Sequence, residues 1–144
     1  MSHGVRLILD TDVVVAAQRS PSGGSAAVIR LLDEGYGTLL LSTALLIEYA
    51  AVCQRPEHRA ATGLSVADVD LFLDTLADMA ERVEAFFRWR PQVRDEDDEL
   101  VLEAAVNGRA TATVTFNRRD YGDAPRRFGV EVLSLGDVLR RMRT

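Results

Sequence analysis

Acidic side chains stand in this chain where the surrounding sequence is apolar. From Leu7 to Ala17 only Asp10 and Asp12 are charged, and a buried carboxylate is costly unless it is paired, protonated or bound to a metal. The competing reading of either residue is a helix cap. Glu48 is the sole charged residue between Gly35 and Gln54. At helical spacing it shares a face with Leu45, Tyr49 and Val52, the stripe that should meet the core. The competing reading is a Glu at the edge of that stripe, reaching water or a distant Arg.

A third group is the run Asp95-Glu96-Asp97-Asp98-Glu99 at the start of a helix, where the helix dipole favours negative charge. Within it Asp98 falls on one face with Val101, Leu102 and Ala105, whereas Glu99 and Glu103 fall on another; Asp95 reads as the cap. Asn117 follows an apolar run from Ala112 to Phe116, with Asp120 three residues on, although such residues are also common turn formers. Oxygen ligands without Cys or His select a hard cation, Mg²⁺ or Mn²⁺. Carboxylates that hold such ions beside a phosphodiester do nuclease chemistry. His3 and His58 are expected at the surface, so zinc is not.

The elements that must position these groups alternate between strand and helix. Val5–Leu9 reads as a buried strand, Val13–Ala17 as a short helix, and Ser20-Pro21-Ser22-Gly23-Gly24 as a break. A helix over Ser25–Glu34, closed by Gly35, leads to a strand over Thr38–Leu41. Ser42 or Thr43 caps a helix running to about Gln54, which Arg55-Pro56 ends. Ser65 caps the next helix, through Val69, Phe72, Leu73 and Leu76 to about Arg82. Val83–Trp89 reads as a strand, Asp95–Asn107 as a helix closed by Gly108, Ala112–Phe116 and Val130–Leu133 as strands, and the chain finishes in a helix from about Leu135. Such alternation predicts an α/β fold whose mostly parallel sheet is covered on both faces. Ligands of such sheets bind beyond the carboxyl ends of the strands, where Asp10, Asp12 and Asn117 fall.

With 144 residues, 47% hydrophobic and 27% charged, the expected organisation is a single domain over residues 1–144. No signal peptide or apolar run of membrane-spanning length is visible, and the expected compartment is the cytoplasm. The lone Cys53 reads as a small buried hydrophobe. The net charge of −5 runs against the basic surplus of most nucleic-acid binders. All 17 basic residues, however, are Arg, whose planar fork suits phosphate. Arg118, Arg119, Arg126 and Arg127 could supply such contacts, with ordinary surface charge as the competing reading, and Phe86, Phe87 and Trp89 could stack bases, with core packing or a dimer interface as the competing reading.

In order and spacing, Leu-Asp-Thr-Asp-Val ending at Val13, Leu-Ile-Glu-Tyr around Glu48, Arg-Asp-Glu-Asp-Asp-Glu-Leu-Val-Leu-Glu-Ala-Ala ending at Ala105 and Val-Thr-Phe-Asn-Arg-Arg-Asp from Val114 resemble the PIN-domain nucleases. The resemblance is to the bacterial branch described as toxins of toxin–antitoxin pairs, and it covers nearly the whole chain. It implies a three-layer α/β/α fold and a Mg²⁺- or Mn²⁺-dependent endoribonuclease. It carries the catalytic and metal-binding acids onto Asp10, Glu48 and Asp98, and a fourth metal position, often Asp in the family, onto Asn117. Asp12 stands where Asn or Ser is usual; Asp12, Asp95, Thr115 and Asp120 are further candidates. The family also implies a homodimer and a cognate antitoxin.

Two other readings remain. A strand ending in Asp10-Thr11-Asp12 resembles the start of aspartyl-phosphate phosphatases, but those enzymes depend on a lysine and this chain has none. A PIN-like module that binds RNA or protein without cutting is the other, with Asn117 as its support.

Overall fold

The computed structural model describes residues 4–84 and 96–143, without the side chains of residues 96–99, 120 and 124. In chain order its elements are β1 (Arg6–Leu9), α1 (Thr11–Arg19), α2 (Gly24–Asp33), β2 (Thr38–Ser42), α3 (Thr43–Cys53), α4 (Pro56–Thr62) and α5 (Val66–Met79), followed by β3 (Glu81–Val83), α6 (Glu96–Asn107), β4 (Ala112–Val114), a 3-10 turn (Arg118–Tyr121), α7 (Ala124–Arg127), β5 (Glu131–Leu133) and α8 (Leu135–Arg143). The strands form one parallel sheet in the order β3-β2-β1-β4-β5, as the alternation predicted. Helices cover it in a three-layer α/β/α arrangement: α6 packs on β1, β2 and β4, while α2 and α8 pack on each other.

β1 lies at the centre, and Leu7, Ile8 and Leu9 are wholly buried, which explains why the strand reads as an unbroken apolar run. The chain leaves β1 for β2 on one side and later returns to β4 on the other. Strand order therefore reverses at β1, the arrangement that opens a crevice at the carboxyl ends of such strands.

Local chemistry sets the helix ends. The Ser42 hydroxyl accepts from the Leu45 N–H at 3.1 Å. Ser65 and Asp68 cap α5 reciprocally, with the Ser65 N–H donating to Asp68 at 2.9 Å and the Asp68 N–H donating to Ser65 Oγ at 3.0 Å. The α5 helix stops at Met79 rather than near Arg82, because Glu81 and Arg82 pair with Leu40 and Leu41 as strand β3. The strand expected over Val83–Trp89 is thus confined to Glu81–Val83 among the described residues; Phe86, Phe87, Trp89 and Asp95 lie outside them.

One expectation is extended and one corrected. Pro56 does end α3, but it also opens α4, where a first-turn proline is welcome. That helix carries His58, which is 2% exposed rather than a surface residue. Its Nδ1 accepts from Arg19 Nε at 3.2 Å, and its Nε2 lies 2.7 Å from Gln18 Oε1. The ring is therefore the neutral Nε2–H tautomer, and burial, followed by the Arg19 charge, holds its pKa below the usual histidine value.

Gly108 does not take the left-handed turn that ends α6; Arg109 does, at φ 54°. Ala110 N–H bonds Ala105 O at 2.8 Å and Arg109 N–H bonds Val106 O at 3.2 Å, the Schellman pattern with Gly108 as the last half-helical residue. Gly108 is needed for space: a Cβ there would meet Val83 Cγ2 at 2.7 Å and Ala104 O at 3.0 Å. Gly108→Ala should therefore lower stability by about 1–3 kcal/mol, while Arg109→Gly should raise it by up to about 1 kcal/mol. Urea unfolding of the two variants checks this, and the opposite order would show that the left-handed residue has been misassigned.

Candidate active site

The last pair of the β1–β4 register is Leu9 with Val114. Beyond it the two strands deliver Asp10 and Thr115 side by side. Asp10 is 6% exposed and Thr115 1%, and the Thr115 hydroxyl donates to Asp10 Oδ2 at 2.6 Å. Asp10 also caps α1, its Oδ1 accepting from the Thr11 N–H at 2.7 Å, so the capping reading of this residue is met.

Asp12 sits in the first turn of α1 and faces the same junction. Its Oδ2 accepts from Phe116 N–H at 3.1 Å, Asn117 Nδ2 at 3.0 Å and, more distantly, the Thr115 hydroxyl at 3.3 Å. These bonds explain why β4 stops at Val114 instead of continuing to Phe116: the Thr115 hydroxyl and the Phe116 N–H turn toward carboxylates. Asn117 in turn donates its N–H to Thr115 Oγ1 at 3.0 Å. Burial, followed by the neighbouring charge of Asp10, pushes the Asp12 carboxyl up to about 6, against the opposing pull of its donors.

Tyr49 holds the site from below. It is wholly buried, and its hydroxyl donates to Leu9 O. The same peptide unit donates through Asp10 N–H to Val114 O at 2.9 Å. The peptide that carries Asp10 is thus gripped by α3 on one edge and β4 on the other. Burial and the nearby Asp10 charge push the Tyr49 phenol well above its ordinary value, which keeps it a proton donor. Sequence reasoning placed Tyr49 on the core stripe with Leu45 and missed this bond; nothing in the spacing distinguishes a Tyr that donates from one that only packs.

Glu48, next to Tyr49, is half-buried, between exposed Ile47 and buried Tyr49. Asp98 lies in α6 and Asp120 in the 3-10 turn; the side chains of both are outside the description, as is the whole of Asp95. Arg118 and Arg119 are exposed, and Arg118 faces Asp137 at 3.7 Å. Together with Thr115, Phe116 and Asn117 they line a cleft of about 750 Å³. Cys53 and His58 are buried elsewhere.

Among the described residues no three acidic, His or Cys side chains converge as a metal-holding group. The structure brings Asp10 and Asp12 together, whereas Glu48, although described, does not join them as a third member of such a group. One observation fits a hard cation there: Asp12 Oδ1 is buried and has no hydrogen-bond partner among the described residues, an unmet oxygen in an all-oxygen donor set. The chemistry open to such a pair is cation binding near the cleft lined by Arg118 and Arg119.

Because the folded state raises the Asp12 pKa from 3.8 to about 6, it binds more protons than the unfolded state between those values, and stability should fall as pH rises through that window. The penalty is absent below about 4 and complete above about 6. After allowance for partial solvent exposure it amounts to on the order of 1–2 kcal/mol. In chelator, the advantage of Asp12→Asn over wild type should therefore grow from pH 4 to pH 7. Parallel urea titrations at the two pH values check it, and a constant difference would count against the raised pKa.

Residues 6–119 match the family described as PIN domain. A solved structure described as VapBC2 from Rickettsia felis, bound to a DNA fragment from their promoter, contains a chain that superposes with a TM-score of 0.60 at 15% identity, covering 90% of this chain and 98% of that one. No curated protein matches the sequence. The family match spans most of the chain, and the superposition reproduces its fold. With β1 central in a parallel sheet and an acidic pair at its carboxyl end, the chain belongs to the PIN-domain family, whose members are generally nucleases.

Proposed function

We propose that the protein is a Mg²⁺- or Mn²⁺-dependent endoribonuclease, the toxin of a toxin–antitoxin pair, acting in the cytoplasm as a single domain over residues 1–144. The observation that carries this reading is the Asp10–Asp12 pair at the carboxyl end of the central strand, Asp10 buried and Asp12 half-buried with one oxygen that no described residue meets. In this reading Asp10, Glu48 and Asp98 hold the cation, with Asn117 as the fourth position. When bound, the cation supplies an acidified water and a counter-charge for the phosphodiester.

This chain's own residues have separate tasks. The Thr115 hydroxyl fixes the rotamer of Asp10. Asp12, tethered by three donors, keeps one oxygen for the cation or its water shell. The Asn117 amide is engaged with Asp12 through Nδ2, which leaves Oδ1 as its sole side-chain atom able to serve as a ligand. Arg118 and Arg119, on the cleft wall, contact phosphate. Asp95 and Asp120 are further candidates for the acidic cluster.

The likeness to VapBC2 supports an antitoxin as partner, and the family resemblance supports a homodimer. Among the described residues no helix is long and apolar enough to cross a membrane. The engagement of Asn117 with Asp12, where the family often has an Asp, favours one second reading: a PIN domain that binds RNA without cutting it.

Incubating wild type and Asp98→Asn with single-stranded RNA, structured RNA and single-stranded DNA separates the two. We expect RNA cleavage with Mn²⁺ or Mg²⁺, none in chelator, and a loss of at least about 100-fold in Asp98→Asn, with its melting temperature kept or raised because carboxylate repulsion is relieved. Equal cleavage by the variant would remove Asp98 from the site. Binding without cleavage under either metal would move the protein to the second reading.

A further inference from the structure

Phe116 is a large apolar residue left 51% exposed on the wall of the cleft that also carries Asn117, Arg118 and Arg119. Isolated exposed hydrophobics are ordinary, and Ile47, Val66 and Leu71 are exposed on helices elsewhere. Phe116 differs in how it is held. Its N–H is bonded to Asp12, the residue before it is buried and bonded to Asp10, and the residue after it is bonded to both Thr115 and Asp12. The backbone beneath the ring is thus fixed to the two carboxylates while the ring itself remains open to solvent in a cleft bordered by guanidinium groups.

We propose that Phe116 is the seat for an unpaired nucleobase, stacking the base beside the scissile phosphate. The proposal rests on the nuclease reading and deepens it. An aromatic face offers any base a stacking surface without selecting its identity, and the neighbouring Arg118 and Arg119 suit the phosphates on either side. Because the ring's attachment point is already rigid, little ordering is lost on binding. A base inside a duplex has both faces covered and cannot use the seat.

Fluorescence-anisotropy titrations in chelator test this, with labelled single-stranded RNA, DNA of the same sequence and duplex RNA offered to wild type, Phe116→Ala and Phe116→Trp. About half of the residue is buried, so Phe116→Ala should melt slightly lower than wild type, and all titrations are run well below both melting temperatures. Phe116→Ala should bind single-stranded RNA about tenfold more weakly, with Phe116→Trp restoring it and duplex binding unchanged. A 2-aminopurine in the strand should be quenched by wild type and not by Phe116→Ala. Parallel losses on DNA support the base seat and show that it ignores the sugar; losses on RNA alone support it and assign it to RNA. Equal binding of single strands by wild type and Phe116→Ala, or equal weakening on duplex, overturns the seat and leaves the nuclease reading standing. Failure of every protein to bind any nucleic acid, in chelator or with Mn²⁺, overturns the nuclease reading and the seat with it.

Discussion

The parallel pairing of β1 with β4 is the constraint on which the remainder of the site depends. Its last register pair, Leu9 with Val114, decides that Asp10 and Thr115 emerge together, and the hydrogen bond between them at 2.6 Å follows from that placement. A one-residue slip would turn Thr115 to the other face of the sheet. Two further contacts guard the register at this end: Asp10 N–H to Val114 O and Tyr49 to Leu9 O. The same peptide therefore belongs to the sheet and to the site, and the hydrophobic core that buries β1 also aims its terminal carboxylate.

The site is a place where local rules are set aside. Two carboxylates share one junction, one of them pushed up to about 6 with an oxygen that no described residue meets, and a strand ends early so that its next residues can donate to them. Natural folds concentrate such departures at functional positions and offset them elsewhere. Here the offset is visible: the acids are surrounded by a core of fully buried Leu7, Ile8, Leu9, Val13, Val14 and Tyr49, and their donors are backbone and short side chains that lose little entropy on ordering.

Much of this arrangement was legible in the sequence. Apolar runs bounded by Gly, Pro and capping residues located β1, α2, β2, α3, α5, β4 and α8 to within a few residues, because each is set by burial period and local capping chemistry. Asp10 and Asp12 stood out because nothing apolar around them explained a charge. What stayed hidden is set by tertiary contacts. The end of β4 depends on acceptors more than a hundred residues away, the Tyr49 hydroxyl on a carbonyl of another element, and the burial of His58 on Gln18 and Arg19. The left-handed Arg109 was hidden for a different reason: the adjacent Gly108 offers the expected residue type, and only the crowding by Val83 and Ala104 shows that its smallness serves another purpose.

The contacts of α1 have one more consequence. This helix begins at the acids, where Asp10 caps it and Asp12 occupies its first turn, and it ends at Gln18 and Arg19, both engaged by His58 of α4. Its nine residues span about 13 Å, so it is a strut clamped at both ends. A substitution at His58 that retilts the far end must be absorbed at the near end, where the carboxylates have no slack. Sequence change in α4 and sequence change at the acids are consequently not independent, and a relative that has lost the imidazole must have rebuilt the anchorage of α1 by other means.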